Sequence, residues 1–128
     1  MTEQLMTDHT HGKDVLDGLR PLSRELRHAI PEVYAGFAEV HKAALAPGAL
    51  DTKTKELMAL AIGVVERCDG CIASHAQGAA RAGASRPEAA EAIGVAVLMS
   101  GGPATVYGPR AYAAFCDFAE AQAAPPGG

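Results

Sequence analysis

The chain has 128 residues and a formal net charge of −4, and its composition is 48% hydrophobic but only 5% aromatic. This length fits one domain that can bury a core. The acidic balance lacks the clustered basic face that nucleic-acid binding requires, so we expect no nucleic-acid partner. No apolar stretch reaches bilayer length and no secretory signal is visible at the start. We therefore expect a cytoplasmic protein with no membrane partner.

The two ends of the chain differ in character from its middle. Residues 1–13 are polar and are predicted to form a flexible N-terminal arm. Residues 123–128 read Ala-Ala-Pro-Pro-Gly-Gly, which cannot continue a helix, so a disordered tail is predicted there. One helical domain is predicted over residues 14–122.

The first two predicted helices are separated by a proline. A helix is predicted over 14–29, and Pro31 suits the opening turn of the next one. Pro47-Gly48 ends that second helix. Within it, four apolar residues recur at helical spacing and predict one apolar stripe: Val33, Phe37, Val40 and Ala44.

The third and fourth helices enclose the most informative segment. Asp51 or Thr52 can cap a third helix that is apolar around nearly its whole circumference, with Glu56 at its head. Such a helix is typical of the centre of a fold or of a subunit interface. The fourth helix is predicted over 70–82, ending at Gly83 as a left-handed cap.

The last two helices follow from further capping signals. Ser85, with Glu88 three residues on, forms a capping box for the fifth helix, which should end at Gly101. The sixth is predicted over 103–122, kinked or restarted at Gly108-Pro109. The pattern as a whole predicts an all-α, single-domain bundle of about six helices.

Two cysteines and a histidine lie together at the predicted start of the fourth helix. Cys68 and Cys71 have Cys-x-x-Cys spacing, and His75 stands four residues after Cys71. Residues four apart share a helix face, so the imidazole can take a proton from the Cys71 sulfur. The helix start also stabilises a thiolate through its N–H groups and positive dipole end. The pattern predicts a nucleophilic thiol, a resolving thiol and a base.

Spacing alone leaves two other interpretations open. Two cysteines and one histidine are three of the four ligands of a structural zinc site, and Cys116, His41 or Glu56 would have to supply the fourth. The pair could also be inert core cysteines. Cys116 stands between Phe115 and Phe118, so we expect it to be a buried structural thiol. We expect His41 at the surface or at a helix end.

The combined spacing resembles a known family. Glu56, eleven residues, Cys68-x-x-Cys71, three residues and His75 resemble the signature of the alkyl hydroperoxidase D family, within the wider carboxymuconolactone decarboxylase superfamily. The run 100–109, Ser-Gly-Gly-Pro-Ala-Thr-Val-Tyr-Gly-Pro, resembles the segment before the closing helix in many relatives. The resemblance covers most of the chain from Glu56 to Phe118.

This resemblance implies a thiol-dependent peroxidase or disulfide oxidoreductase that is all-helical and assembles as a homotrimer or homohexamer. Cys71 would react with a hydroperoxide substrate, and Cys68 would resolve the oxidised sulfur. His75 and Glu56 would form the proton relay. A lipoyl carrier or a peroxiredoxin would be the redox partner, and no bound metal or organic cofactor is expected.

Local chemistry bears on those roles in two ways. The helix dipole favours Cys68 as the attacking thiol, whereas His75 favours Cys71, and we choose Cys71 because proton removal by an adjacent base is the more local effect. Some relatives carry a histidine inside the loop where this chain has Gly70. Gly70 cannot shuttle protons, and the charge on Asp69 opposes thiolate formation.

The position of Glu56 requires a particular fold. Twelve residues of straight helix would place it about 18 Å from Cys68, and an antiparallel return to His75 falls short by about 10 Å on the same rise. A crossing angle, a bend or a neighbouring subunit must close the gap. Without the resemblance, Glu56 would be interpreted as a solvated carboxylate at a helix start.

Two other functions compete with the redox enzyme. A carboxymuconolactone decarboxylase-like lyase would use His75 and Glu56 in acid–base roles, but decarboxylation has no use for a vicinal dithiol. A non-enzymatic, zinc-stabilised oligomer would use the cysteines as metal ligands.

Overall fold

The computed structural model describes residues 11–124, which form six α-helices and contain no strand. The helices are α1 Lys13–Ala29, α2 Pro31–Leu45, α3 Thr52–Glu66, α4 Asp69–Arg81, α5 Arg86–Ser100 and α6 Ala104–Ala123. The predicted all-α class is confirmed. Residues 1–10 of the predicted arm and 125–128 of the predicted tail lie outside the described residues.

The helix ends follow the capping signals of the sequence. The Asp51 side chain accepts a hydrogen bond of 2.8 Å from the Thr54 N–H at the start of α3. Ser85 and Glu88 form the reciprocal capping box of α5. Gly83, with a φ of 89°, closes α4 by donating its N–H to the Ala80 carbonyl. These local signals position the turns on either side of the cysteine segment.

The predicted restart of the last helix at Gly108-Pro109 is wrong, because α6 runs from Ala104 to Ala123 as one element with Pro109 inside it. Gly108 is buried, and a Cβ there would lie 3.1 Å from Ile93 Cγ2, so this glycine serves close packing of α6 against α5. Buried residues on both sides of Pro109, among them Ala104 and Ala111, hold the helix on the core across the missing N–H.

The core lies between α3, α4, α5 and α6. Its largest fully buried side chains are Phe115, Leu60, Ile72 and Val64, and alanines fill most of the remaining positions. Small side chains let the helix backbones approach closely, so a core of this size needs few large residues.

The two outer helices contrast with this core, since neither α1 nor α2 has a buried residue. The apolar stripe predicted on α2 lies at the surface, and Phe37 is 66% exposed. One side of α3 is also open, with Met58 and Ile62 exposed opposite the buried Leu60 and Val64. The single chain therefore leaves extensive apolar surface uncovered. None of the helices in the described range is long and apolar enough to cross a membrane.

Candidate active site

The candidate site lies where α3 turns into α4. Arg67 takes the left-handed conformation, with a φ of 56°, and ends α3. Cys68 is the N-cap of α4, and its Sγ accepts a hydrogen bond of 3.2 Å from the Cys71 N–H. A sulfur in this position meets the unpaired N–H groups and the positive end of the helix dipole. The geometry therefore favours a negative charge on Cys68 whenever that sulfur is reduced.

The two cysteines of the motif are joined by a disulfide, with their Cα atoms 5.2 Å apart. Cys68 is partly buried and Cys71 is exposed. The structure therefore brings together the predicted thiol pair and leaves Cys71 as the more exposed residue of the two.

His75 and Glu56 also meet. Nδ1 of His75 lies 2.6 Å from Oε1 of Glu56. Glu56 is only 7% exposed, so the alternative interpretation as a solvated carboxylate is wrong. The contact forms within one chain and needs no neighbouring subunit. A buried carboxylate bonded to Nδ1 fixes the ring and leaves Nε2 as the nitrogen available for proton exchange.

Two glycines explain how the hairpin closes the distance to Glu56. A Cβ on Gly63 of α3 would lie 3.3 Å from the Ile72 N and 3.5 Å from the Cys71 Cβ. A Cβ on Gly78 of α4 would overlap the carboxylate of Glu56. The helices therefore approach closely near both ends of their contact, and the two side chains span what remains. Glycines inside apolar helical patterns are the sequence signal that could have indicated this.

His41 is a site neighbour that the sequence reasoning missed. It was expected at the surface, and it is exposed, but its ring stacks on that of His75 with centroids 5.7 Å apart and planes 15° apart. On α2 its ring also approaches Phe37, at 6.3 Å and 55°. Its distance from His75 along the chain left no local pattern to reveal the contact.

The residues inside the Cys-x-x-Cys loop have their own partners. Asp69 Oδ1 lies 3.9 Å from Nη1 of Arg110, whose guanidinium carbon lies 5.0 Å from the centre of the Tyr107 ring. A Cβ on Gly70 would come within 2.9 Å of Leu19 Cδ1, so α1 lies over the loop. The charge of Asp69, which opposes thiolate formation, thus has a cation nearby.

Other candidates from the sequence contribute less. Cys116 is a free thiol that is partly exposed rather than buried as expected, because α6 presents it at the edge of the core beside the exposed Asp117. Within residues 11–124, no three His, Cys, Asp or Glu side chains lie where they could hold one metal ion. The zinc interpretation therefore lacks a ligand set in this part of the chain.

Comparison with known proteins places the chain in a family. The model of the carboxymuconolactone decarboxylase family matches residues 31–114, and the chain belongs to this family. It is 38% identical over 90 residues to an uncharacterised protein of Cupriavidus necator, covering 70% of this chain and 80% of that one. It is 42% identical over 77 residues to an uncharacterised protein of the cox locus of Paracoccus denitrificans, covering 60% and 69%. The superfamily resemblance drawn from the sequence is confirmed.

Solved structures support the same assignment. A carboxymuconolactone decarboxylase family protein from Legionella pneumophila is 40% identical with a TM-score of 0.77, covering 80% of this chain and 92% of that one. A Thermotoga maritima protein is 31% identical with a TM-score of 0.75, covering 86% and 96%. A second crystal structure of the same Thermotoga maritima protein, described as a family protein with a suggested part in antioxidative response, is 35% identical with a TM-score of 0.64, covering 70% and 92%.

Proposed function

We propose that this protein is a thiol-dependent peroxidase or disulfide oxidoreductase that cycles Cys68 and Cys71 between dithiol and disulfide. The observation that carries the proposal is the disulfide at the start of α4, with His75 one turn further along the same helix and bonded to a buried Glu56. Accessible thiols that lie beside a base are typical of redox-active cysteines.

The chemistry transfers two electrons from the thiol pair to a peroxide. The Cys71 thiolate attacks one peroxide oxygen, the O–O bond breaks, and the alkoxide leaves as an alcohol after taking a proton. Cys71 is then a sulfenic acid. The Cys68 thiolate attacks the Cys71 sulfur, water leaves, and the disulfide forms. An external dithiol returns two electrons and two protons.

The roles of the four residues follow from their positions. Cys71 is the attacking thiol because it is exposed, and it shares a helix face with His75. Cys68, partly buried at the N-cap, resolves the sulfenic acid. His75 removes the thiol proton and delivers one to the leaving oxygen. Glu56 holds the ring by its Nδ1 and stabilises the positive charge that the imidazole acquires in between.

Partners and assembly are part of the same proposal. A lipoyl group on a carrier protein or a peroxiredoxin would reduce the disulfide. The chain would assemble as a homotrimer or homohexamer, which would cover the apolar residues exposed on α2, α3 and α5. Leu98, at 80% exposure, and Met99, at 74%, support an interface that includes α5. The suggested part of the Thermotoga maritima relative in antioxidative response also favours a peroxidase.

Turnover of cumene hydroperoxide with a lipoyl reductant tests the proposal. We expect the wild-type protein to consume peroxide and the Cys71→Ser variant to lose this activity. A matched control is Cys116→Ser, which removes the free thiol outside the pair. Unchanged turnover in Cys71→Ser would contradict the proposal. So would release of carbon dioxide from a muconolactone-type substrate at a rate that does not depend on the thiols.

A further inference from the structure

The α2 helix meets the active site through one aromatic contact. No side chain of α2 is buried, yet the His41 ring lies nearly parallel to that of His75, with centroids 5.7 Å apart. Phe37, one turn earlier on α2, approaches His41 from its own helix. His41 and Phe37 are both exposed, so this contact is not a by-product of core packing.

His75 is held from two directions. Its Nδ1 lies 2.6 Å from Glu56, which fixes the edge of the ring. A single hydrogen bond still allows the ring to swing about its side-chain bonds. A second ring at 5.7 Å lies within the range of favourable aromatic pairs, so the pairing with His41 favours the observed orientation of the His75 ring over others. The hydrogen bond to Glu56 and the aromatic pair with His41 therefore both favour one orientation of the His75 imidazole.

The stacked arrangement points to orientation rather than proton transfer. The N–H bonds of an imidazole lie in the plane of its ring. The rings of His41 and His75 are stacked rather than side by side in one plane, and no hydrogen bond joins them, so these bonds do not aim at the nitrogens of the neighbouring ring. His41 therefore does not serve as the direct proton acceptor of His75.

We propose that His41 is a positioning residue, whose ring face holds the imidazole of His75 in the orientation from which Nε2 exchanges a proton with the Cys71 thiol. The catalytic consequence of this contact rests on the proposed function, whereas the contact itself is independent of that function. It makes α2 part of the active site, because displacement of this helix removes the ring that steadies the base. Precise placement of a base is worth a large factor in rate.

The test compares substitutions that separate the ring from its nitrogens. His41→Phe keeps an aromatic face and removes the ring nitrogens, whereas His41→Ala removes both. His28→Ala, on the exposed face of α1, is the matched control. The readout is the rate at which iodoacetamide alkylates the reduced protein at Cys71, measured by mass spectrometry, with circular dichroism to verify the fold.

We expect His41→Ala to slow alkylation roughly tenfold, which lies within the cost of a displacement of about 1 Å. We expect the alkylation rate of His41→Phe to stay within about twofold of the wild-type rate, because the aromatic ring is retained. Equal rates in His41→Ala and wild type would overturn the proposal. An equal loss of alkylation rate in both His41 variants would also overturn the proposal. The ring nitrogens of His41, rather than its aromatic face, would then be responsible for the effect.

A measurement on the unaltered protein keeps the proposal independent of any folding defect. Nuclear Overhauser effects between the ring protons of His41 and His75 are expected in wild type, and their absence would overturn it. If the protein alkylates as expected but does not reduce cumene hydroperoxide, the proposed peroxidase fails while the positioning role stands. If peroxide is reduced and His41→Ala is unaffected, only the positioning role fails.

Discussion

The carboxylate of Glu56 occupies the space that a side chain on Gly78 would fill. Gly78 lies in the interior of α4, where glycine is unfavourable relative to alanine by about 1 kcal/mol. The glycine is therefore explained by the site rather than by the helix. It is the only residue type that lets the buried carboxylate lie against α4 and reach His75.

Gly78→Ala should consequently separate Glu56 from His75. The added methyl group overlaps the carboxylate, which must move, and peroxide turnover should fall by roughly a hundredfold, as for loss of an acid–base residue. Gly94→Ala is the control, because a Cβ there meets nothing within 4 Å. Steady-state peroxidase assays check both variants. Equal activity of the two alanine variants would show that the Glu56 contact is dispensable.

Glu56→Gln should reduce the rate of disulfide formation while keeping the shape of the site. The amide oxygen can still accept a hydrogen bond from Nδ1, but it no longer stabilises a positively charged imidazole. We expect a loss of roughly a hundredfold in single-turnover oxidation of the reduced protein. Glu66→Gln, at the exposed end of the same helix, should react like wild type. A Glu56→Gln variant that matched this control would exclude the charge relay.

Asp69 and Arg110 should tune the reduction potential of the disulfide in opposite directions. Asp69→Asn removes a negative charge beside the thiolates, which stabilises the dithiol form and raises the potential. Arg110→Gln leaves Asp69 without its neighbouring cation and lowers the potential. Because both side chains are partly exposed, shifts of about 10–20 mV are expected.

Equilibration with dithiol buffers of known potential measures these shifts. The double variant supplies the control, since the effect of Arg110→Gln should vanish when Asp69 is already neutral. An Arg110→Gln shift that persists at full size beside Asp69→Asn would show that the guanidinium does not act through this pair.

The charge of Glu88 should make the α5 cap sensitive to acid. Hydrogen bonds from the Ser85 backbone N–H and from Lys53 hold the pKa of this carboxyl below its ordinary value of 4.5. A carboxyl whose pKa is lower in the folded state contributes stability above its unfolded pKa and loses it as the pH falls through the folded one. Wild type should therefore exceed Glu88→Gln in Tm at pH 7, and the difference should narrow below about pH 4.5.

Thermal unfolding followed by circular dichroism at pH 7 and in the acid range checks this prediction. Glu91→Gln is the control, because Glu91 is an exposed residue of the same helix that takes no part in the capping box. A Tm difference for Glu88→Gln that stayed constant across this range would show that the charge is not what the cap uses.

Leu98→Glu should weaken the proposed assembly. Leu98 is among the most exposed large apolar side chains on α5, and a charge placed in a subunit interface carries a desolvation cost. Sedimentation velocity should show a shift towards the monomer at micromolar concentration, whereas Glu91→Gln should sediment as wild type does. An unchanged oligomer in Leu98→Glu would place the interface elsewhere.

The sequence predicted well what local chemistry determines. Asp51, Ser85, Glu88 and Gly83 act within a turn of their own helices, so the ends of α3, α4 and α5 followed from short patterns. The cysteine pair was equally readable, because two residues of loop bring its sulfurs together.

Contacts between helices were harder to foresee. Gly108-Pro109 has the composition of a break, but α6 continues because Gly108 packs on Ile93 of another helix. Helix rise alone suggested a gap between Glu56 and His75, and only the close approach at Gly63 and Gly78 removes it. His41 lies two helices before His75, and nothing in its own neighbourhood indicates the stacking.

Cys68 serves the backbone as well as the reaction, since its sulfur closes the first turn of α4 by accepting the Cys71 N–H. Serine is a strong N-cap residue, and its hydroxyl oxygen can accept the same bond. The Cys68→Ser substitution therefore keeps the N-cap hydrogen bond of α4 but prevents formation of the disulfide. Because the fold of this variant is retained, its loss of turnover would measure the contribution of the Cys68 thiol chemistry alone.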